Sequence, residues 1–593
     1  MNPRPIQGDP MLADGRFTVS LDWYDRVTDD QLRPYTDHST ENEHRNADCG
    51  WEEHLERITE PAGKTDLDVR WWEYRGRGVS GRAPLVVCFY EYYNTTWQRI
   101  ADREGLVIIA FEYHRNQRRP QLGLGTLGYG PWDDEIEACH TVIERTIEKH
   151  GCDRGRVYMN GLSYGDMTTL VYAKRYGETL AGAVCINGPS CAYNLERYGL
   201  TDGMPALPAM QIRSDDDITC DGFLPGLTFE QAGNEEWLRN IRSRQVVLNR
   251  NVWMRSNGAD ARRARILTRG GRAYIIYDTG KYDVIFAEFN KKCHIIPVDN
   301  AEVMWDMLFS RYRRNENGEI ERIAPPLTAD EGCCALSVGC DHAYVNNGRV
   351  SLGAPCLMLV PRDDPPRDSV VYCGTECSYP SFYAPARVLK ECFGLEYTVA
   401  CSDVTRSEFF YGKGNDEIEL RDGAVRFERG GESFALYINT CVVERGGKVC
   451  DLERPPLFVR GELMLPVKEL AELFGLFCCV RNGAAYVSPH PFDMGYTLPR
   501  LLREELLPDE AYVPEFTVGV GPTENGSVTV SARTLPDGGT LRITTAPDEG
   551  CRLLRVAAAV NGVPVPVYET GENEYTAFNI MGDVCVCAEF VRV

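Results

Sequence analysis

A chain of 593 residues is too long for one hydrophobic core, because cores stop growing at about 250–300 residues, and three or four domains are expected. Its composition, 43% hydrophobic and 25% charged, is that of folded globular protein and excludes a disordered or fibrous chain. The formal net charge of −23 repels phosphate backbones and anionic lipid, so nucleic acid is excluded as an expected partner.

No apolar run approaches the roughly 18 residues of a membrane-spanning helix. Met1–Phe17 lack the basic-then-apolar order of an export signal. A soluble chain is expected, cytoplasmic by default, and extracellular or at the cell surface if a leader has been trimmed. The 23 cysteines are odd in number and scattered, without C-x-x-C or zinc spacing. Free thiols in a reducing compartment are expected, with no metal.

In chain order, residues 1–70 are polar and irregular and read as an N-terminal extension. From Pro84 onward, buried-strand runs alternate with helical segments. The runs are Pro84–Phe89, Leu106–Phe111, the amphipathic stretch Asp133–Lys149, and Val157–Asn160. The alternation resumes with Leu180–Ile186, Ala209–Ile212, Arg272–Tyr277 and a closing helix from Ala301 to about Arg314. Strand, helix, strand at this spacing predicts an α/β domain over 71–322 with a doubly wound, mostly parallel sheet covered on both faces. The stretch from Asp217 to Arg272, with Trp237 and Trp253, is longer than a strand connection requires and reads as a lid or substrate wall.

After Ile323-Ala-Pro-Pro326 comes an internal repeat. Pro385–Leu395 aligns with Pro466–Leu476 without a gap, at an offset of 81 residues. Proline opens each expected helix and glycine closes it, so two copies of one α+β unit are expected within 335–490. Residues 514–593 read as short alternating strands broken by turns, a small all-β module.

The strongest chemical signal is Val157-Tyr-Met-Asn-Gly161-Leu-Ser163-Tyr-Gly165. A G-x-S-x-G between a buried strand and a helix forms a nucleophile elbow. The turn is so tight that only small residues fit two positions either side of the serine. Ser163 is the candidate nucleophile, and the Tyr164 N–H at the helix start is a candidate donor to a developing oxyanion. By contrast, Gly123-Leu-Gly-Thr-Leu-Gly128 lacks the strand and helix of a dinucleotide site and reads as a loop.

Asp133-Asp-Glu-Ile-Glu, then Asp153 through Gly165 and Met167, resemble the poly(3-hydroxybutyrate) depolymerase and feruloyl esterase branch of the α/β-hydrolases over about residues 70–315. The resemblance implies a Ser, Asp, His chain order. Matching from Pro208 puts the acid at Asp217, with Asp215 and Asp216 as alternatives. The base falls on His294, ahead of a helix carrying Trp305 and Phe309. The second oxyanion N–H falls at Glu91, with Tyr92 and Trp253 as candidate substrate contacts. No cofactor is implied.

This chain departs from the family pattern twice. Phe89-Tyr-Glu91-Tyr92 stands where the family has His-Gly, and Asp166 stands where it has glycine. Each puts a carboxylate near an oxyanion, where negative charge raises the barrier unless it points away. The region 337–490 resembles copper amine oxidase N-terminal-like modules, structural units that imply no copper. Residues 514–593 resemble the divergent internalin-type B repeat, and both suggest attachment to a surface or polymer.

The function these features imply is a serine carboxylic ester hydrolase acting on feruloyl or acetyl groups of polysaccharide, on a polyester, or on a small ester. Two rivals remain open. One is a catalytically weak hydrolase-fold adhesin or carbohydrate-binding scaffold, and the other is a serine peptidase.

Overall fold

The computed structural model describes residues 50–89, 95–112, 133–188, 199–200, 203–214, 249–269, 271–289, 300–328, 332–346, 348–359, 381–403, 406–408, 418–481, 483–495, 497–507, 515–536, 539–560, 563–565, 567–580 and 583–593. Glu91, Tyr92, Gly123–Gly128, Asp215, Asp216, Asp217, Trp237 and His294 lie outside them, as do residues 1–49 of the N-terminal extension. The described residues of Arg26–Asp260, Ile276–Leu327 and Val513–Val593 form one compact unit. Those of Ala261–Ile275 and Thr328–Tyr512 form the other.

The first unit carries β1 (Glu52–Ile58), β2 (Leu67–Arg75), β3 (Leu85–Phe89), α1 (Thr95–Glu104), β4 (Val107–Phe111), α2 (Asp133–His150), β5 (Val157–Leu162), α3 (Tyr164–Tyr176), β6 (Gly182–Ile186), β7 (Ala209–Ser214), β8 (Asp283–Phe289) and α4 (Asn300–Met307). Across the sheet the strands run β1-β2-β4-β3-β5-β6-β7-β8. Parallel pairing holds from β4 through β8, while β2 is antiparallel to both β1 and β4. This strand order is that of the α/β-hydrolase fold.

Burial explains the composition of the strands. Every residue of β3, β4, β5 and β6 is buried, which is why these strands read as continuous apolar runs rather than alternating ones. The edge strand β1 is mostly exposed and carries Glu52, Glu53, Glu56 and Arg57, charges that discourage pairing with another chain.

Helix α2 begins with Asp133, Asp134 and Glu135 and ends with Lys149 and His150, an arrangement matched to the helix dipole. Its last turn docks on β2 through Glu73, which is only 4% exposed. Glu73 accepts from Lys149 Nζ at 2.7 Å, from Trp71 Nε1 at 2.9 Å and from Thr146 Oγ1 at 3.3 Å, with His150 Nε2 at 2.8 Å. Burial acts to raise this carboxyl, but the hydrogen bonds from Lys149, Trp71 and His150 together outweigh it and hold the group at about 2.

Because the folded value lies below the ordinary 4.5, the stability this group contributes is fully present above about pH 4.5. It is lost as pH falls through about 2. Glu73→Gln is expected to cost about 2–3 kcal/mol in urea unfolding at pH 7, since it removes the buried carboxylate to which Lys149, Trp71 and Thr146 donate and leaves Lys149 only the exposed Glu52. The cost should shrink toward pH 2, and a cost independent of pH would contradict the assignment.

At the far end of the domain, α4 and the turn after it are held by aromatic packing. Phe309 stacks on Trp97 at 6.0 Å and on Tyr158 of β5 at 4.9 Å. Trp305 meets Tyr158 edge-on at 6.1 Å. The Tyr158 hydroxyl donates to the Tyr312 carbonyl at 2.6 Å.

In the second unit, the strands Ser381–Pro385 and Glu462–Pro466 precede the helices Val388–Glu391 and Val467–Leu473. Each repeated proline is the last residue of a strand, and Pro466 also caps the helix that follows it, while the other helix is capped by Arg387. Gly394 and Gly475 take positive φ of 66° and 71°, the left-handed geometry that ends a helix and favours glycine. The repeat-equivalent strands pair antiparallel, Tyr383 with Pro466, Ala384 with Leu465 and Pro385 with Met464. Ala384 thus faces Leu465, the residue at its own position in the sequence repeat.

Residues 515–592 form nine strands among the described residues, in two sheets. In Val584–Arg592, Val584, Val586, Ala588 and Phe590 are buried while Cys585, Cys587 and Glu589 are exposed, the period-two pattern of a sheet with one wet face. The described cysteines are free thiols. Among the described residues no helix is long and apolar enough to cross a membrane.

Candidate active site

Ser163 sits at the step from β5 to α3 with φ 60° and ψ −113°. A serine in this sparsely populated conformation is strained, and such strain persists only where the surroundings impose it. They do so here. The Ser163 N–H donates to the Ile186 carbonyl at 2.8 Å, and its carbonyl accepts from the N–H of Asp166 at 3.1 Å and of Met167 at 3.4 Å.

The two flanking glycines are required by space. A Cβ on Gly161 would lie 2.2 Å from the Gly165 carbonyl carbon and oxygen, and one on Gly165 would lie 2.0 Å from the Phe89 carbonyl oxygen. Helix α3 therefore starts in direct contact with the end of β3, leaving Ser163 half-buried rather than enclosed. Tyr164 is the first residue of this 13-residue helix, at its positive end.

Neighbouring strands of the sheet end in register. Leu162 pairs with Ile186, Ile186 with Ile212, and Ser214 with Phe289. The carboxyl ends of β5, β6, β7 and β8 therefore lie side by side. The segment holding Asp215, Asp216 and Asp217 follows β7 directly. His294 falls between the end of β8 at Phe289 and the start of α4 at Asn300.

Asp166 has its charge accounted for. Its side chain is fully buried, and both oxygens are engaged. Oδ2 accepts from the Gly188 N–H at 2.9 Å and from Gln211 Nε2 at 3.4 Å, while Oδ1 accepts from Asn249 Nδ2 at 2.7 Å. Burial is the largest influence and pushes this carboxyl up to about 6. The Gln211 hydrogen bond, the charge of Arg213, the Cys185 thiol and the Gly188 N–H act in the opposite direction. Between its ordinary 3.8 and about 6 the native state keeps a proton that the unfolded chain has released. This group's contribution to stability accordingly declines as pH rises through that window.

Trp253 is fully buried in a helix over 249–257. Its carbonyl accepts from Asn257 Nδ2 at 2.9 Å and from Ser256 Oγ at 3.1 Å. The next turn of the network is Arg250, which donates to the Tyr277 hydroxyl at 2.7 Å and lies over its ring.

Gly188, Gln211, Arg213 and Asn249 were not legible as site residues. The available signal was polarity out of place, since Gln211 and Arg213 interrupt a strand that is otherwise buried. A buried polar side chain in such a strand needs a partner.

No known family model matches the chain. Over 158 residues it is 24% identical to the bifunctional acetylxylan esterase/xylanase XynS20E of Neocallimastix patriciarum, a stretch covering 26% of this chain and 19% of that one. The likeness thus spans about a fifth of that protein's length. Among solved structures, the acetyl xylan esterase from Aspergillus awamori is similar over 43% of this chain and 97% of its own, with 14% identity and a TM-score of 0.29. The acylaminoacyl peptidase of Pyrococcus horikoshii is similar over 41% of this chain and 38% of its own, with 15% identity and a TM-score of 0.27.

Proposed function

We propose that this chain, an enzyme of the α/β-hydrolase superfamily, is a serine carboxylic ester hydrolase. Ser163 is its nucleophile, His294 its general base and Asp217 the acid that orients the imidazole. The observation that carries the reading is the conformation of Ser163, φ 60° between two glycines that no larger residue can replace, at the start of a helix. A serine held in that strained turn is presented for attack rather than for packing.

The chemistry follows from ordinary side chains. As Ser163 Oγ bonds to the ester carbonyl carbon, its proton passes to His294. The N–H groups of Tyr164 and Glu91 stabilise the oxyanion, and the alcohol leaves with the proton from His294. Water then attacks the acyl-enzyme, again giving its proton to His294, and releases the acid and free Ser163. Tyr92 and Trp253 line the acyl side, Trp253 as a buried backing residue.

Feruloyl or acetyl groups on polysaccharide, or a polyester, are the favoured substrates, in keeping with the resemblance to depolymerases and feruloyl esterases and with the acetylxylan esterase named above. The repeats within 335–490 and the strands of 514–593 serve attachment to a surface or polymer on this reading.

The test is turnover of acetyl, feruloyl and hydroxybutyrate esters and of a peptide anilide by the wild type and Ser163→Ala. Ester hydrolysis lost about 10⁶-fold in the variant is expected. Faster cleavage of the anilide would make the protein a peptidase, and no turnover of any substrate would favour the scaffold.

A further inference from the structure

We propose that Asp166 is a positioning residue for the nucleophile: its buried carboxylate locks the first turn of α3 to three other stretches of chain and thereby holds Ser163 at the height that attack requires. This rests on the reading of Ser163 as the nucleophile.

Three observations carry it. First, Asp166 is tied to Ser163 itself, because its N–H donates to the Ser163 carbonyl at 3.1 Å. Any movement of Asp166 is passed to the strained residue three positions before it.

Second, the side chain gathers donors from separate elements. The Gly188 N–H comes from the turn after β6, Gln211 from β7, and Asn249 from the helix over 249–257. All three donate to the carboxyl, and the Gly188 N–H is a donor that cannot reverse its role. Charge-assisted bonds of this kind are the stronger ones.

Third, the surroundings are shaped to this carboxylate. A Cβ on Gly188 would lie 2.2 Å from Asp166 Cγ, so no other residue fits at that position. Arg213, fully buried, donates to the Gly188 carbonyl at 2.6 Å. Gly188 is thus held by Asp166 on its N–H and by Arg213 on its carbonyl. A buried carboxylate costs several kcal/mol when it does nothing else, and glycine at 166 would avoid that cost.

The titratable groups facing Asp166 are Arg213 from β7 and the Cys185 thiol from β6, whose Sγ lies 3.9 Å from the Asp166 carbonyl oxygen. The arginine favours the ionised form. A proton on the carboxyl would use one of the lone pairs that now accept from Gly188, Gln211 and Asn249.

The experiment compares wild type with Asp166→Asn in two readouts. The first is kcat and KM for nitrophenyl acetate from about pH 5 to pH 9. The second is amide hydrogen exchange over residues 157–190, corrected for intrinsic rates. At pH 8 the variant should lose about 10- to 100-fold in kcat, the order expected for misplacing a reacting atom by about an ångström, with KM within about threefold. The gap should narrow below about pH 6, where the wild type itself carries the proton. Exchange near Ser163 and Gly188 should quicken.

A variant that melts earlier yet keeps the wild-type kcat would overturn the proposal, reducing Asp166 to a fold residue. Should the variant not fold, Asn249→Ala decides, since it removes the Oδ1 donor and leaves the carboxyl in place. A lower kcat with faster exchange near Ser163 and Gly188 supports the clamp, and wild-type values of both refute it. If the wild type hydrolyses no ester, the reading of Ser163 fails separately, and the exchange measurement still decides whether Asp166 holds the elbow.

Discussion

His294→Ala is expected to lower kcat on an activated ester about 10⁶-fold, close to the loss from removing Ser163 itself, with little change in melting temperature. Without the imidazole, the serine hydroxyl keeps its proton and is a poor nucleophile at neutral pH. β5, β6, β7 and β8 end side by side, and His294 falls between Phe289 and Asn300, in the connection from β8 to α4. α4 in turn is fixed to β5 by the packing of Trp305 and Phe309 around Tyr158.

The acid partner can be found by the same measurement. Asp217→Asn should cost about 10⁴-fold in kcat, because the imidazole loses its orientation and charge partner rather than disappearing. Asp215→Asn and Asp216→Asn should each stay within about threefold. A large loss at either, with Asp217→Asn near normal, would move the acid to that position without disturbing the assignment of His294.

Gly165→Ala should be the most damaging single methyl group in the domain. The added carbon would meet the Phe89 carbonyl oxygen at 2.0 Å and the Phe89 carbonyl carbon at 2.8 Å. Backbone cannot rotate aside as a side chain can, so either β3 or the start of α3 must shift. Urea unfolding should show a loss of about 3 kcal/mol or more, and ester turnover should fall below detection. Gly151→Ala is the control, since nothing lies within 4 Å of its added carbon. Its positive φ of 63° still limits the cost to about 1 kcal/mol. Equal losses at the two positions would show that close approach is not what makes Gly165 necessary.

How much of this was legible beforehand differs by element. Strands β3 to β6 are legible in the sequence because burial on both faces makes them continuous apolar runs, and the elbow because its two glycines have a steric reason visible within five residues. Helix α3 and the strand before it could be placed on that basis alone. What pattern reading missed was polar and long-range. Asp166 looked like unwelcome charge near the oxyanion, whereas its partners Gly188, Gln211 and Asn249 lie 22, 45 and 83 residues away. No local periodicity links such positions. Of the two repeat prolines that the pattern places at helix starts, Pro466 caps its helix, while Pro385 only ends a strand, because pairing with Met464 extends that strand up to it.

The central claim, that Ser163 is a presented nucleophile, is tested most directly by a fluorophosphonate probe read by intact mass and peptide mapping. One adduct per chain, located on Ser163 and absent from Ser163→Ala, is the result predicted. A folded wild type that takes up no adduct, or an adduct that persists in Ser163→Ala, would contradict it.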